Sequence, residues 1–135
     1  MPLRGMRILH GALVAGLVLV GGTFILVLRV QGRPLGSAPS SGEVLAGISV
    51  ALLIGAYAIL RRRIPERRFD QSQDDYWASA ETRGACIVLW ALVDGAGLVG
   101  WVGYVLTGVA VPAAAAALAI LTLMLFRPSR IEGDQ

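Results

Sequence analysis

The sequence predicts an all-α integral membrane protein, a four-helix bundle of two repeated helical hairpins in parallel orientation. Its composition is the first observation, because 56% of the 135 residues are hydrophobic and the mean hydropathy is +0.68, too apolar for an ordinary soluble domain. The second is that the apolar residues form four blocks near the ~20 residues that span a bilayer, at 8–28, 44–60, 84–107 and 109–126. The third is that most arginines lie before the first block, between the second and third blocks, and after the fourth block.

The first block, 8–28, follows a short basic segment, Met1 to Arg7. A signal peptide begins in the same way, but its apolar run is only about 7–15 residues long. The longer run here, with no evident small-residue cleavage site, predicts a retained transmembrane helix. Small residues such as Gly16 would let a neighbouring helix approach closely.

The second block, 44–60, lies between two polar segments. The preceding segment, 29–42, is rich in Gly, Pro and Ser, which predicts a loop. The segment that follows, 61–83, is the longest polar stretch, and the positive-inside rule places it in the cytoplasm. We expect its basic cluster to face lipid headgroups; the cluster consists of Arg61, Arg62, Arg63, Arg67 and Arg68.

The third block, 84–107, has a helix-start signal upstream, since Ser72 and Asp75 are suited to cap a helix. Little opposes helix after Gln73, so we expect one continuous helix from there into the block. The fourth block, 109–126, has Pro112 in its first turn, where proline is tolerated. The tail beyond it, SRIEGDQ, is short and polar, which predicts a frayed end.

Charge predicts the orientation. Arginines flank one face of the predicted bundle at both termini and in segment 61–83, whereas only Arg29 and Arg33 lie at the other face. The positive-inside rule therefore predicts four crossings with both termini in the cytoplasm. We expect a single membrane domain over residues 1–135, in a bacterial inner membrane.

An internal repeat supports the two-hairpin interpretation. The segment ALVAGLVLVG begins at Ala12 and ALVDGAGLVG begins at Ala91, and seven of the ten aligned positions are identical. Both segments would run in the same direction, as in a parallel repeat. Asp94 then aligns with Ala15, so only one half has the carboxylate.

Asp94 is the main candidate for function, because a charged side chain inside a bilayer is costly. One interpretation is a proton- or ion-binding carboxylate, and the other is a structural acid that hydrogen-bonds a neighbouring helix. His10, near the start of the first block, could approach Asp94 if the repeats pack side by side, and histidine titrates near neutral pH.

The glycines of the third block predict close helix packing more than a pore or a cofactor site. With Gly16, the helix-packing candidates are Gly95, Gly97, Gly100 and Gly103. The chain has one Cys, one His, and no HExxH, P-loop, CxxC or GxSxG motif. We therefore expect no enzyme activity, no cofactor and no metal site. The net charge of +3 comes from arginines beside apolar blocks, so the expected partners are the lipid bilayer, other membrane subunits or a second copy, and not nucleic acid.

Three segments resemble a group of small uncharacterised four-helix bacterial membrane proteins: RILHGALVAGLVLVG, YWASAETRGACIVLWALVDGAGLVGWVGYVLTG and LFRPSR. In that group an A-L-x-E-G stretch opens the third helix and an LLTG-like turn ends it, and Asp94 stands where Glu is more usual. The resemblance implies the four-helix topology and no particular activity.

The chain is also similar, more weakly, to the proteolipid (c or K) subunits of rotary ATPases, which have glycine-rich hairpins and one buried carboxylate. This resemblance implies that Asp94 carries a translocated ion. The chain departs from these subunits in two ways. Its acid lies in the third helix, whereas four-helix proteolipids typically have it in the last, and a long arginine-rich loop replaces their short polar turn. We therefore expect a non-enzymatic accessory or assembly component, with a proton- or ion-translocating subunit as the alternative.

Overall fold

The computed structural model describes residues 2–36 and 40–133, which form helices and no strand. Two long helices come first: α1 is Pro2–Gln31, and α2 is Ser40–Arg63, which includes a π-helical turn over Ala56–Leu60. The short helix α3 is Gln73–Ala78. The remaining helices are α4 (Ala80–Thr107), α5 (Ala110–Leu125) and the short α6 (Pro128–Ile131).

Helix α4 lies at the centre of the bundle, and α1, α2 and α5 pack around it. The predicted hairpin of α1 and α2 is wrong as a packing unit, because these helices make little direct contact and each packs on α4. Helix α4 can pack against three helices because its glycines, which have no side chain, let neighbours approach its backbone closely on more than one side.

Contacts along α4 define the helix directions. Helix α1 runs parallel to α4, since Leu17 lies against Gly97 and Gly21 lies against Trp101. Helix α2 runs antiparallel, and the Ser49 hydroxyl donates a 2.7 Å hydrogen bond to the Ala96 carbonyl. Helix α5 is also antiparallel to α4. The start of α1, the end of α5 with α6, and segment 61–83 therefore lie at one end of the bundle, named here the arginine-rich end.

The predicted cap at Ser72 is confirmed, because its hydroxyl oxygen accepts a hydrogen bond from the Asp75 amide at 3.1 Å. The predicted continuous helix from Gln73 is wrong. Ser79 interrupts it with an extended backbone (ψ 124°) and caps α4 by accepting from the Thr82 amide. Serine favours this position because its side chain satisfies an orphan amide of the helix start.

The C-terminal tail corrects another prediction. Arg127 and Pro128 end α5 as expected, but the chain then forms α6 and returns to the bundle. Ile131 and Glu132 are buried, with 6% and 3% of their surface exposed. The tail is therefore packed through Glu132. Residues 134–135 lie outside the described part.

Within residues 2–36 and 40–133, three helices are long and apolar enough to cross a membrane: α1 with 30 residues, α2 with 24 and α4 with 28. Helix α5 is also apolar but has only 16 residues. The four helices include the four predicted apolar blocks, except for the end residues Val109 and Phe126, which flank α5.

Candidate functional site

Asp94 lies at the edge of the contact between α4 and α1. It follows Trp90 by four residues and precedes Gly97 by three, and both of these residues face α1. Residues at these spacings are neighbours on a helix surface. The same rule places Asp94 beside Ala91 and Leu98, which are exposed. Asp94 therefore sits half-buried on the border between the packed stripe and the outer face of α4.

Within residues 2–36 and 40–133, no group hydrogen-bonds or ion-pairs with Asp94. Gly95, its neighbour, has no atom of another helix within 4 Å of the position that a Cβ would take. The carboxylate is thus accessible from outside the bundle, on an apolar helix, and the fold itself does not use it. An outside group, either a polar side chain of another helix or an ion, could reach it.

His10 is buried and does not pair with Asp94. Its Nε2 lies 2.7 Å from the Leu123 carbonyl, which can only accept, so Nε2 carries the proton. The ring also meets Trp90 edge-on, with centroids 5.1 Å apart. Because Asp94 lies one turn beyond Trp90, it is about 6 Å farther along the α4 axis. The structure places the two candidates near each other but gives His10 a different partner.

His10 binds the Leu123 carbonyl because this carbonyl lies at the end of α5. The last carbonyls of a helix have no amide partner within it. His10 from α1 binds one of them, and the Trp90 indole from α4 donates to the Phe126 carbonyl at 2.8 Å. Two side chains from different helices therefore complete the end of α5 and hold three helices together.

Glu132 is a second unusual carboxylate, and sequence reasoning missed it. Its side chain is fully buried and accepts a 2.7 Å hydrogen bond from the Trp77 indole. Its other oxygen lies 3.9 Å from the guanidinium of Arg7, which is half-exposed. The three residues tie the tail, α3 and α1 together. A short polar tail contains no periodicity that could have indicated this contact.

Tyr76 belongs to the same end of the bundle. Its hydroxyl donates to the Pro65 carbonyl at 2.6 Å, and its ring lies edge-on to Trp77. Burial, the largest cause, raises the pKa of Tyr76 to about 12. The phenol is therefore neutral at physiological pH and acts as a fixed donor, not as a base.

The glycine predictions divide into two groups. Gly97, Gly100 and Gly103 each lie against another helix; a Cβ at Gly100 would be 2.8 Å from the Ala116 nitrogen and the Pro112 oxygen. Gly16 and Gly95 instead have no described atom of another helix within 4 Å of the position that a Cβ would take. The sequence shows which helices are rich in glycine but not which face meets a neighbour.

The predicted basic cluster is not one uniform surface. Arg62 and Arg63 are exposed at the end of α2, and Arg61 is half-buried. Arg68 pairs with Asp70 at 3.1 Å, and this hydrogen bond lowers the pKa of Asp70. Arg67 is partly buried in the loop. Among the described residues, the exposed, unpaired positive charge of the cluster is therefore concentrated at the end of α2, at Arg62 and Arg63.

The described residues contain no group of three or more His, Cys, Asp or Glu side chains arranged to hold a metal ion. Comparison of the chain with protein-family models, with curated proteins and with solved structures finds no match.

Proposed function

We propose that the chain is a four-crossing membrane protein that acts as a non-enzymatic accessory or assembly component, binding another membrane protein through the face that bears Asp94. The observation that supports this function most is the accessibility of Asp94, which has no partner among the described residues. Intramembrane acids usually pair with another group. Because no described residue pairs with Asp94, we infer that a neighbouring membrane protein supplies the partner.

Membrane insertion is supported by the outer surface of the bundle. Large aliphatic side chains are exposed all along the long helices, for example Leu19 (69%), Ile54 (62%) and Leu121 (64%). Such a surface suits lipid and not water. At 1.5 Å per residue, α5 is about 24 Å long, so modest thinning of the bilayer or the flanking residues must complete its crossing.

The orientation with both termini in the cytoplasm is supported by charge. Ten of the twelve basic residues belong to the arginine-rich end. They are Arg4, Arg7, Arg61, Arg62, Arg63, Arg67, Arg68, Arg83, Arg127 and Arg130. The positive-inside rule places this end on the cytoplasmic side, which fits a bacterial inner membrane.

The chemistry around Asp94 indicates what kind of partner it binds. The carboxylate favours a basic or hydrogen-bond-donating side chain on the partner helix. Gly95 beside it is open, so a helix backbone can approach α4 there. Exposed Leu98, one turn further, adds apolar contact. A single transmembrane helix with one Arg, Lys, His or Asn at mid-membrane depth has these properties.

Site-specific photo-crosslinking tests this proposal. A photoreactive residue at Leu98 is expected to form one defined adduct with another membrane protein, identified by mass spectrometry. The same residue at Leu121, exposed on α5 away from Asp94, is the matched control and should not form it. Asp94→Leu should abolish the adduct, and Asp94→Asn should retain it, because an amide still hydrogen-bonds. Absence of any specific adduct at Leu98 would contradict the proposal.

The alternative is a proton- or ion-translocating, proteolipid-like subunit, and the same accessible carboxylate favours it. A carrier must exchange an ion with its surroundings, which an outward-facing Asp94 permits. Carbodiimide labelling in native membranes between pH 5 and pH 9 distinguishes the two functions. A carrier should react, react less as the pH rises, and lose function on Asp94→Asn. An acid already paired with a partner helix should not react.

A further inference from the structure

A surface groove of about 470 Å³ lies between α1 and the end of α5, toward the arginine-rich end. On α1 it is lined by four small or apolar residues beside His10, and on the other side by Met124 of α5 and by Arg127, which follows that helix. The lining residues are His10, Gly11, Val14, Ala15, Val18, Met124 and Arg127. The volume lies within the range of about 300–1,000 Å³ that is typical of small-molecule sites.

The length of the groove matches one half of a bilayer. From His10 to Val18 it extends eight residues along α1, which is about 12 Å. One leaflet contributes about 15 Å of hydrocarbon. A lipid chain that lies along Val14 and Val18 would therefore have its headgroup near the end of α5.

Two nitrogen-bearing groups lie at that position. Arg127 is exposed and makes no ion pair with a described residue. His10 is more than nine-tenths buried, and its Nδ1 makes no hydrogen bond with the described residues because only Nε2 is used. Arg7 precedes Gly11 by four residues and so heads the same α1 stripe, although Glu132 offsets part of its charge.

A second groove provides a contrast. It lies between α2 and α5, has a volume of about 580 Å³, and is lined by apolar residues together with Glu43. Its one ionisable side chain is an acid, so it offers nothing to a phosphate. Of these two grooves, the α1–α5 groove is therefore the one expected to prefer an anionic headgroup.

We propose that the α1–α5 groove is a binding site for an anionic phospholipid of the cytoplasmic leaflet. One acyl chain lies along Gly11, Val14 and Val18, and the phosphate binds the Arg127 guanidinium. Such a guanidinium–phosphate contact is charge-assisted. This inference rests on the membrane insertion proposed above but not on a partner at Asp94.

Native mass spectrometry of the full chain tests the headgroup preference, after extraction from vesicles of equal phosphatidylglycerol and phosphatidylcholine. The wild type is expected to retain phosphatidylglycerol about fivefold over phosphatidylcholine, which corresponds to the ~1 kcal/mol for one arginine near an anionic surface. Arg127→Gln should bring the two lipids to parity. Arg130→Gln, at the same end but outside the groove, should not. Equal retention by the wild type, or an unchanged preference in Arg127→Gln, would overturn the site.

A second pair of variants tests the position of the chain. Gly11 lines the groove and Gly22 does not, yet both have open space around a Cβ. Gly11→Leu should fill the groove and lose the bound lipid, while Gly22→Leu should retain it. Retention of the preference in Gly11→Leu would refute the groove as the site.

The lipid site and the proposed function fail in different ways. If alkaline washing releases the chain from membranes, insertion is refuted and the lipid site with it. If the Leu98 cross-link is absent but the phosphatidylglycerol preference depends on Arg127, the lipid site stands and only partner binding is refuted.

Discussion

Asp94 and Glu132 are two carboxylates with opposite relations to the fold. Asp94 lies in an apolar 28-residue helix and has no partner in the described residues. Glu132 lies in a short polar tail, yet its side chain is fully buried against Trp77 and Arg7. The acid that looks anomalous in the sequence is not needed by the fold, and the acid that looks ordinary is built into it. The position of an acid in the sequence therefore does not show whether it stabilises the fold, whereas its contacts in the structure do.

The largest expected effect is that of Glu132→Ala. It removes the acceptor of the buried Trp77 indole and the negative charge beside Arg7. Leaving a buried donor without a partner costs about 1–3 kcal/mol, and losing the charge beside the half-exposed Arg7 adds at most about 1 kcal/mol. We expect the free energy of unfolding in detergent to fall by about 1–4 kcal/mol, measured by thermal or denaturant unfolding.

Trp77→Phe sharpens this result, because it removes the donor and keeps an aromatic ring. It leaves the fully buried Glu132 carboxylate without that donor, so it should also lower the free energy of unfolding. The double variant should cost less than the sum of the two. Additive effects would show that the two side chains do not stabilise the fold as a pair.

A pair of glycine variants compares the packed and open sides of α4. Gly100→Ala places a methyl group 2.8 Å from backbone atoms of α5, which cannot move as a flexible side chain would. Overpacking of this kind costs about 1–3 kcal/mol. Gly95→Ala, next to Asp94, has open space and a better helix-forming residue, so stability should stay equal or rise by up to about 1 kcal/mol.

The measurement is again unfolding in detergent, with both variants in the same conditions. A loss in Gly95→Ala as large as that in Gly100→Ala would mean that the outer face of α4 is packed within the chain. The contrast between Asp94 and Glu132 would then be lost.

Tyr76 gives the arginine-rich end a pH dependence. Burial raises its pKa to about 12 from 10.0. The folded state thus keeps a proton that the unfolded state releases above pH 10, so stability is fully present below pH 10 and falls as the pH rises toward 12. Unfolding measured across this interval should show the loss, and Tyr76→Phe should remove this part of it. An unchanged slope in Tyr76→Phe would contradict the assignment.

The sequence predicted the helical bundle and most of the helix positions, because apolar blocks and the Ser72 cap are local signals. It did not predict the break at Ser79, since a single serine suits both a helix interior and a cap. The burial of Glu132 depends on Trp77, 55 positions away, which no local pattern reports. For the glycines, the helix could be predicted but not the face that meets a neighbour. Gly97 lies against Leu17 of α1, whereas Gly95 has open space around it.

The smallest expected effect on stability is that of substitution at Asp94, and it tests the comparison most directly. With no hydrogen bond or ion pair to lose, Asp94→Asn should change the free energy of unfolding by less than about 0.5 kcal/mol. Asp94→Leu should leave it equal or higher, because a costly polar group is removed from an apolar helix. Both variants should unfold like the wild type in detergent, while Asp94→Leu alone loses the cross-link from Leu98. If Asp94→Leu instead destabilises the chain as strongly as Glu132→Ala, Asp94 is a structural acid and its role in partner binding is refuted.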